Sequence, residues 1–276
     1  MIKSRNLNLQ SKDSVTYITF PKLEKLSCVS HAFTTRLGGV SDGMYSSLNM
    51  SFSNGDKYEN VLENYRRMCS IIDVDINKVT LSRQTHTNNV KIITNEDIGK
   101  GLSKERDYDD VDGLITNIPG VCLVTHYADC TPLLFCDPVK RIVATSHAGW
   151  RGTASEIGKV TVEKMQQVFG CSPKDIIAAI GPSICKNCYE VDSPVYEPVS
   201  KLNYLDKNRI FKDKGNGKYM FDLWETNRQI LINAGIKPEN IDVTDLCTNC
   251  NPDVFHSHRF TGGKRGILAA MIALKE

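Results

Sequence analysis

The chain has 276 residues, 41% hydrophobic and 24% charged, the balance of an ordinary globular protein long enough for one large domain or two small ones. Thirty-four basic against thirty-two acidic residues leave a net charge of +2, and no basic run is interleaved with aromatics, which excludes the footprint of a nucleic-acid groove. No stretch approaches the length of a membrane span and the polar N-terminal segment has no apolar signal region, so a cytoplasmic protein is expected, with its ten cysteines as free thiols or metal ligands rather than disulfides.

Strand-like apolar runs cover residues 15–20 and 29–34. The second leads into Arg36-Leu37-Gly38-Gly39-Val40-Ser41, a glycine turn carrying a guanidinium and a hydroxyl. Arg presents a planar donor fork suited to phosphate, so Arg36 and Ser41 are candidate phosphate or ribose contacts, with Asn49 a further one. The spacing predicts a helix over 58–72, where Val61, Leu62, Tyr65, Met68 and Ile72 form one apolar stripe. Further strands are expected at 90–94, 121–125, 142–146, 176–180 and 241–244, and helices at 153–169, 194–202 and 222–234. Gly170 stops the first of these helices, and residues 213–218 read as an exposed turn. Strands and helices alternate irregularly, which does not impose a doubly wound sheet. With no Gly-x-Gly-x-x-Gly after a strand and no Walker motif, dinucleotide and P-loop nucleotide binding are disfavoured.

Three short segments end in soft metal ligands: Gln84-Thr85-His86, Ala128-Asp129-Cys130 and Ser146-His147. Two follow buried-strand runs, so their side chains are expected at strand ends facing one crevice. Two His and one Cys with a fourth position open is a set used by catalytic zinc. A thiolate nucleophile at Cys130 with a His partner is the other reading of the same residues. Gly149 and Gly152 permit close backbone approach around His147, and Arg151 adds a fixed charge and another candidate substrate contact. Asp129 reads as a structural carboxylate, as the group that orients a ligand His, or as a general acid, and the orienting role is the one expected. His126 is taken as a neighbouring side chain, and His256 and His258 as loop residues. Phe33, Tyr45 and Trp150 are candidates to stack on a base. Cys185-x-x-Cys188 and Cys247-x-x-Cys250 have zinc-knuckle spacing, but their separation far exceeds that of a zinc ribbon, and a second metal site is not expected.

The chain also resembles the YfiH/YlmD family, labelled a laccase-domain or polyphenol oxidase family. The resemblance rests on residues 31–41 (HAFTTRLGGVS), 84–86 (QTH), 112–116 (DGLIT), 128–134 (ADCTPLL) and 146–153 (SHAGWRGT). It continues through 180–184 (IGPSI), 189–191 (YEV), 245–248 (DLCT) and 255–266. It implies one α/β domain of layered mixed β-sheets flanked by helices. It also implies a purine nucleoside phosphorylase that acts on adenosine, inosine and methylthioadenosine and deaminates adenosine, with zinc on His86, Cys130 and His147. Its partners would be a purine nucleoside and phosphate, and a monomer is expected. Rivals are a copper-dependent polyphenol oxidase, which six histidines poorly supply, a thiol or zinc amidohydrolase acting on a cell-wall precursor, and a zinc-stabilised interaction domain.

Overall fold

The computed structural model describes residues 2–276. In chain order its strands are Asn8–Lys12 (β1), Val15–Thr19 (β2), Val29–Thr34 (β3), Val79–Leu81 (β4), Val90–Ile92 (β5), Gly113–Thr116 (β6), Cys122–Tyr127 (β7), Thr131–Asp137 (β8) and Ile142–Ala148 (β9). Then come Ile177–Ile180 (β10), Glu190–Val191 (β11), Phe211–Gly215 (β12), Lys218–Phe221 (β13), Ile241–Val243 (β14) and Leu268–Leu274 (β15). The helices are Pro21–Glu24 (α1), Tyr58–Ile72 (α2), Trp150–Ala154 (α3), Ile157–Phe169 (α4), Ser193–Ser200 (α5), Lys207–Ile210 (α6), Leu223–Asn233 (α7) and His258–Thr261 (α8).

Two six-stranded sheets, β1-β2-β3-β15-β7-β4 and β14-β10-β8-β9-β6-β5, pack face to face. Both are mixed: β4 runs parallel to β7, β5 to β6 and β14 to β10, and the other neighbours are antiparallel. Phe33, Leu123, Leu134, Val143, Ala270 and Ile272 share the core between the sheets. The opposite faces are buried as well. Val61, Tyr65 and Met68 of α2 cover Val124, Ala269 and Met271, while Ile157, Val162 and Met165 of α4 and Leu231 of α7 cover Leu133, Phe135 and Ala178. Strands buried on both faces are apolar at every position rather than at alternate ones, which is why residues 121–125 and 142–146 read as continuous runs. The result is the expected layered mixed α/β domain.

Departures from the expected elements have local causes. The single helix expected over 153–169 is two, because Ser155 Oγ turns back to Arg151 O at 2.9 Å and Glu156 takes a left-handed φ of 57°. Residues 213–218 are the tip of the β12–β13 hairpin, its left-handed positions filled by Gly215, Asn216 and Gly217. The central strand β8 is concealed in the sequence by Pro132, which occupies its second position opposite His147. Among the described residues no helix is long and apolar enough to cross a membrane.

Candidate metal centre and its cavity

Two of the connections that take the polypeptide from one large sheet to the other each carry a candidate ligand. Ala128-Asp129-Cys130 joins β7 to β8, and the segment with Gln84-Thr85-His86 runs between β4 and β5. His147 lies on β9 in the second sheet. One ligand atom each from His86, Cys130 and His147 falls within 4.8 Å of the others. The two imidazoles stand edge to face, 4.9 Å apart at 81°. Gly149 lets them close. A Cβ there would lie 3.0 Å from Cys130 Sγ, 3.2 Å from His86 Cδ2 and 3.5 Å from His147 Cε1, so any larger residue would fill the space between the three ligands.

A single buried carboxylate, Asp112, organises the set. Its Oδ1 meets His147 Nδ1 at 2.7 Å and accepts the His86 backbone N–H at 3.1 Å. Its Oδ2 accepts the N–H groups of Thr85 and Thr87 at 2.8 and 3.2 Å. With Nδ1 donating to Asp112, the other imidazole nitrogen of His147 offers its lone pair to the site. The backbone bonds hold His86 at a φ of 69°, a left-handed conformation that is uncommon outside glycine. Burial opposes ionisation of Asp112, yet the His147 hydrogen bond and these N–H groups keep its carboxyl below the usual range. Burial likewise works against charge on Cys130 and His147, but each favours the other's ion. The thiol comes down to about 6 beside His147 and His86. His147 rises to about 9 beside Cys130 and Asp112.

The ligands open onto a cavity of about 460 Å³. Arg151, Arg259 and Arg265 bring three guanidinium groups to its wall, and Tyr189, Trp150, Ile184 and Leu223 give it apolar surface. Arg151 lies over the Trp150 ring at 4.2 Å and Arg259 over the Tyr189 ring at 5.3 Å. Arg265 Nε is buried with no hydrogen-bond partner among the described residues. An adjoining cavity of about 370 Å³ shares Gln84, His86, His126 and Ile267 with the first.

Several expected contacts belong elsewhere. Asp129 does not hold a ligand His: its carboxylate accepts from Thr248 Oγ1 and the Arg259 N–H, both at 2.6 Å, and the His-orienting role falls to Asp112. Arg36 is not on the cavity wall, because its Nε and Nη1 are committed to the carbonyls of Ser46 and Pro252, each at 2.8 Å. Ser41 is buried against Asn64, and Asn49 is tied to Ser51, Asp56 and the Ile267 N–H. Phe33 is core, and Tyr45 bonds the Asn54 carbonyl. Arg151 and Trp150 do line the cavity, as does His258. His126 also faces it and pairs with Tyr65 Oη at 2.8 Å, its pKa lowered to about 4 by burial and by Arg106.

Residues 30–275 match the family described as multi-copper polyphenol oxidoreductase laccase. The chain belongs to this family. It is 39% identical over 248 residues to the purine nucleoside phosphorylase YlmD of Bacillus subtilis, covering 88% of each chain. It is 34% identical to the adenosine deaminase RL5 of an unknown prokaryotic organism, covering 89% of this chain and 96% of that one. The crystal structure of the Bacillus licheniformis hypothetical protein YfiH superposes with a TM-score of 0.92 at 33% identity, over 98% of this chain and 100% of that one.

Asp112, Arg259 and Arg265 received no role from the sequence, although all three lie in segments that carry the family resemblance. The signal for Asp112 was its place directly before strand β6. Nothing local marks the two arginines, since they reach the cavity from a segment more than a hundred residues beyond His147.

Proposed function

We propose that this family member is a zinc-dependent purine nucleoside phosphorylase. It cleaves adenosine, inosine and S-methyl-5′-thioadenosine with phosphate, releasing the base and a pentose 1-phosphate, and it also deaminates adenosine. The observation that carries the reading is an open three-ligand set at the floor of a cavity whose wall holds three guanidinium groups. The names of the similar proteins point the same way.

His86, Cys130 and His147 would hold the zinc: a mixed nitrogen and sulfur set, brought together around the Gly149 gap, with one ligand oriented by a carboxylate. Bound zinc supplies Lewis acidity and draws the pKa of a coordinated water toward neutrality. The remaining work belongs to the protein's own side chains. Arg265, with a buried unpaired donor, and Arg151 and Arg259 bind the phosphate dianion. In phosphorolysis a phosphate oxygen bonds to C1′ of the ribose as the bond from C1′ to the purine nitrogen breaks. The leaving base takes both bonding electrons and the proton that the attacking hydrogenphosphate gives up. Trp150 and Tyr189 offer ring faces, and Ile184 and Leu223 exclude water around the purine.

One observation favours a second reading. Cys130, His147 and Asp112 are in the sequence of contacts of a thiol hydrolase, with a thiol lowered to about 6 beside a His held by a carboxylate. The second imidazole at Cys130, from His86, is what a nucleophile does not need and a metal does. A multi-copper oxidase finds little support. Only His86 and His147 of the six histidines join the three-ligand set: His31 Nε2 accepts the Phe20 N–H at 2.9 Å, His126 pairs with Tyr65, and His258 lines the cavity outside the set, so the ligands of a larger copper cluster are not gathered. Ten free cysteines suit a reducing cytoplasm.

The deciding experiment incubates zinc-loaded protein with each nucleoside, with and without phosphate. Base release that depends on phosphate, together with phosphate-independent conversion of adenosine to inosine, is the expected result. No phosphate-dependent base release from any of the three refutes the phosphorylase. An acyl or glycosyl adduct trapped on Cys130 during turnover would hand the site to the thiol hydrolase.

A further inference from the structure

Cys185, Cys188, Cys247 and Cys250 take no part in the cavity chemistry, yet the fold gathers them. Corresponding members of the two pairs are 62 positions apart in sequence, and a parallel bridge between Ser183 and Cys247 closes that gap. All four Sγ atoms lie within 4.8 Å of one another. Cys188 Sγ and Cys250 Sγ are 3.3 Å apart, and none of the four is in a disulfide. Cys247 Sγ accepts two backbone N–H groups, from Cys185 at 3.2 Å and from Cys250 at 3.4 Å.

We propose that these four cysteines hold a structural zinc ion, a second metal site distinct from His86, Cys130 and His147. Two Cys-x-x-Cys knuckles supplying four thiolates are a ligand set of structural zinc. Four sulfurs each about 2.3 Å from one ion stand about 3.8 Å apart in a tetrahedron, and the observed cluster has that compactness. One backbone N–H from each knuckle faces the Cys247 sulfur. Such donors stabilise a thiolate and do little for a thiol. All four positions come from the protein, so the site leaves none for substrate.

The location says what the ion would do. Ile184 and Tyr189, which flank the first knuckle, line the cavity. Thr248, inside the second, holds Asp129 at the connection that carries Cys130. The ion would clip the segment after β10 to the segment after β14 and so fix one wall of the active cavity. It is a staple for the site and no part of the reaction.

The test is metal stoichiometry after saturation with zinc and removal of loosely bound metal, read by mass spectrometry of the element. The wild type should retain two zinc ions per chain. A Cys188→Ser/Cys250→Ser variant should retain one, and Cys130→Ala should also retain one, at the other site. Cobalt-loaded wild type should show a sulfur-to-metal charge-transfer band of which the double variant keeps only the weak part owed to the single Cys130 thiolate, while Cys130→Ala keeps most of it. If the double variant does not fold, alkylation of the wild type followed by peptide mapping serves instead: the four cysteines should be protected in the zinc-loaded protein and react once metal is stripped. One zinc in the wild type overturns the proposal, and so does full retention of two in the double variant. Disulfide-linked peptides among the four, or iron in place of zinc at this site, overturn it equally. None of these outcomes touches the phosphate-dependence assay.

Discussion

The two cysteine-containing clusters of this protein differ in how they are closed. At the cavity, three ligands come from two sheet-crossing connections and one strand, and Gly149 keeps the space between them clear. Behind the cavity wall, four sulfurs come from two knuckles and leave no position free. The first set is fixed from outside by a carboxylate that touches His147 and the backbone around His86, while in the second the knuckles' own backbone N–H groups hold the Cys247 sulfur. An open site needs external support because its ligands cannot complete a shell by themselves. A closed one supports itself.

The largest expected effect breaks the open cluster. Replacing His86, Cys130 or His147 by Ala should remove the cavity metal and lower both activities by at least about a thousandfold, while the fold is kept, as read by circular dichroism and metal analysis. Undiminished zinc at the cavity in Cys130→Ala would sink the ligand assignment. Next comes the anion wall. Arg265→Ala should slow phosphate-dependent base release roughly a hundredfold, about 2–4 kcal/mol, and leave adenosine deamination much less affected, because only phosphorolysis places a dianion there. Arg36→Ala serves as its control. It loses two bonds to backbone carbonyls and should cost about 1–3 kcal/mol of stability while moving both activities together. A selective loss of phosphorolysis in Arg36→Ala would return the phosphate to that turn.

Asp112→Asn tests the external support. It removes the charge that orients His147, and metal affinity should fall about 10- to 100-fold. The closed cluster should keep its ion in the same variant, and if both sites weaken together the contrast between them is wrong. The smallest step is the one read per unit of pH. In the metal-free protein Cys130 is a thiolate above about 6 and His147 keeps its proton up to about 9. Between those values metal must displace one proton, from His147, so affinity for the cavity site should rise roughly tenfold per pH unit. Below about 6 the thiol must ionise as well, and the slope should steepen toward roughly a hundredfold per unit. A flat profile from pH 6 to 9 would mean that His147 is not a ligand.

Much of this was legible in the residues themselves. The stripe on 58–72 and the apolar runs at 29–34, 121–125 and 142–146 became α2, β3, β7 and β9, because burial on one helix face or on both faces of a strand leaves its periodicity in the sequence. The candidate ligands His86, Cys130 and His147 stood out for the same reason: each sits in a short polar or glycine-containing segment beside such a run, and Gly149 allows the close approach seen between them. What remained hidden depends on contacts between distant segments. The Ala-rich β15 is a strand only because β3 and β7 pair with it on either side, and β8 tolerates Pro132 because its partners β9 and β10 continue the sheet past it. Arg36 and Arg265 carry the same fork and the same charge, so residue type alone could not say which one meets the cavity. That was decided by where backbone carbonyls were left to satisfy a guanidinium. The four knuckle cysteines are the sharpest case. Their spacing within each pair is local and readable, but whether the pairs meet depends on β10 and β14 running side by side, and pairing across 62 residues is a property of the folded sheet alone.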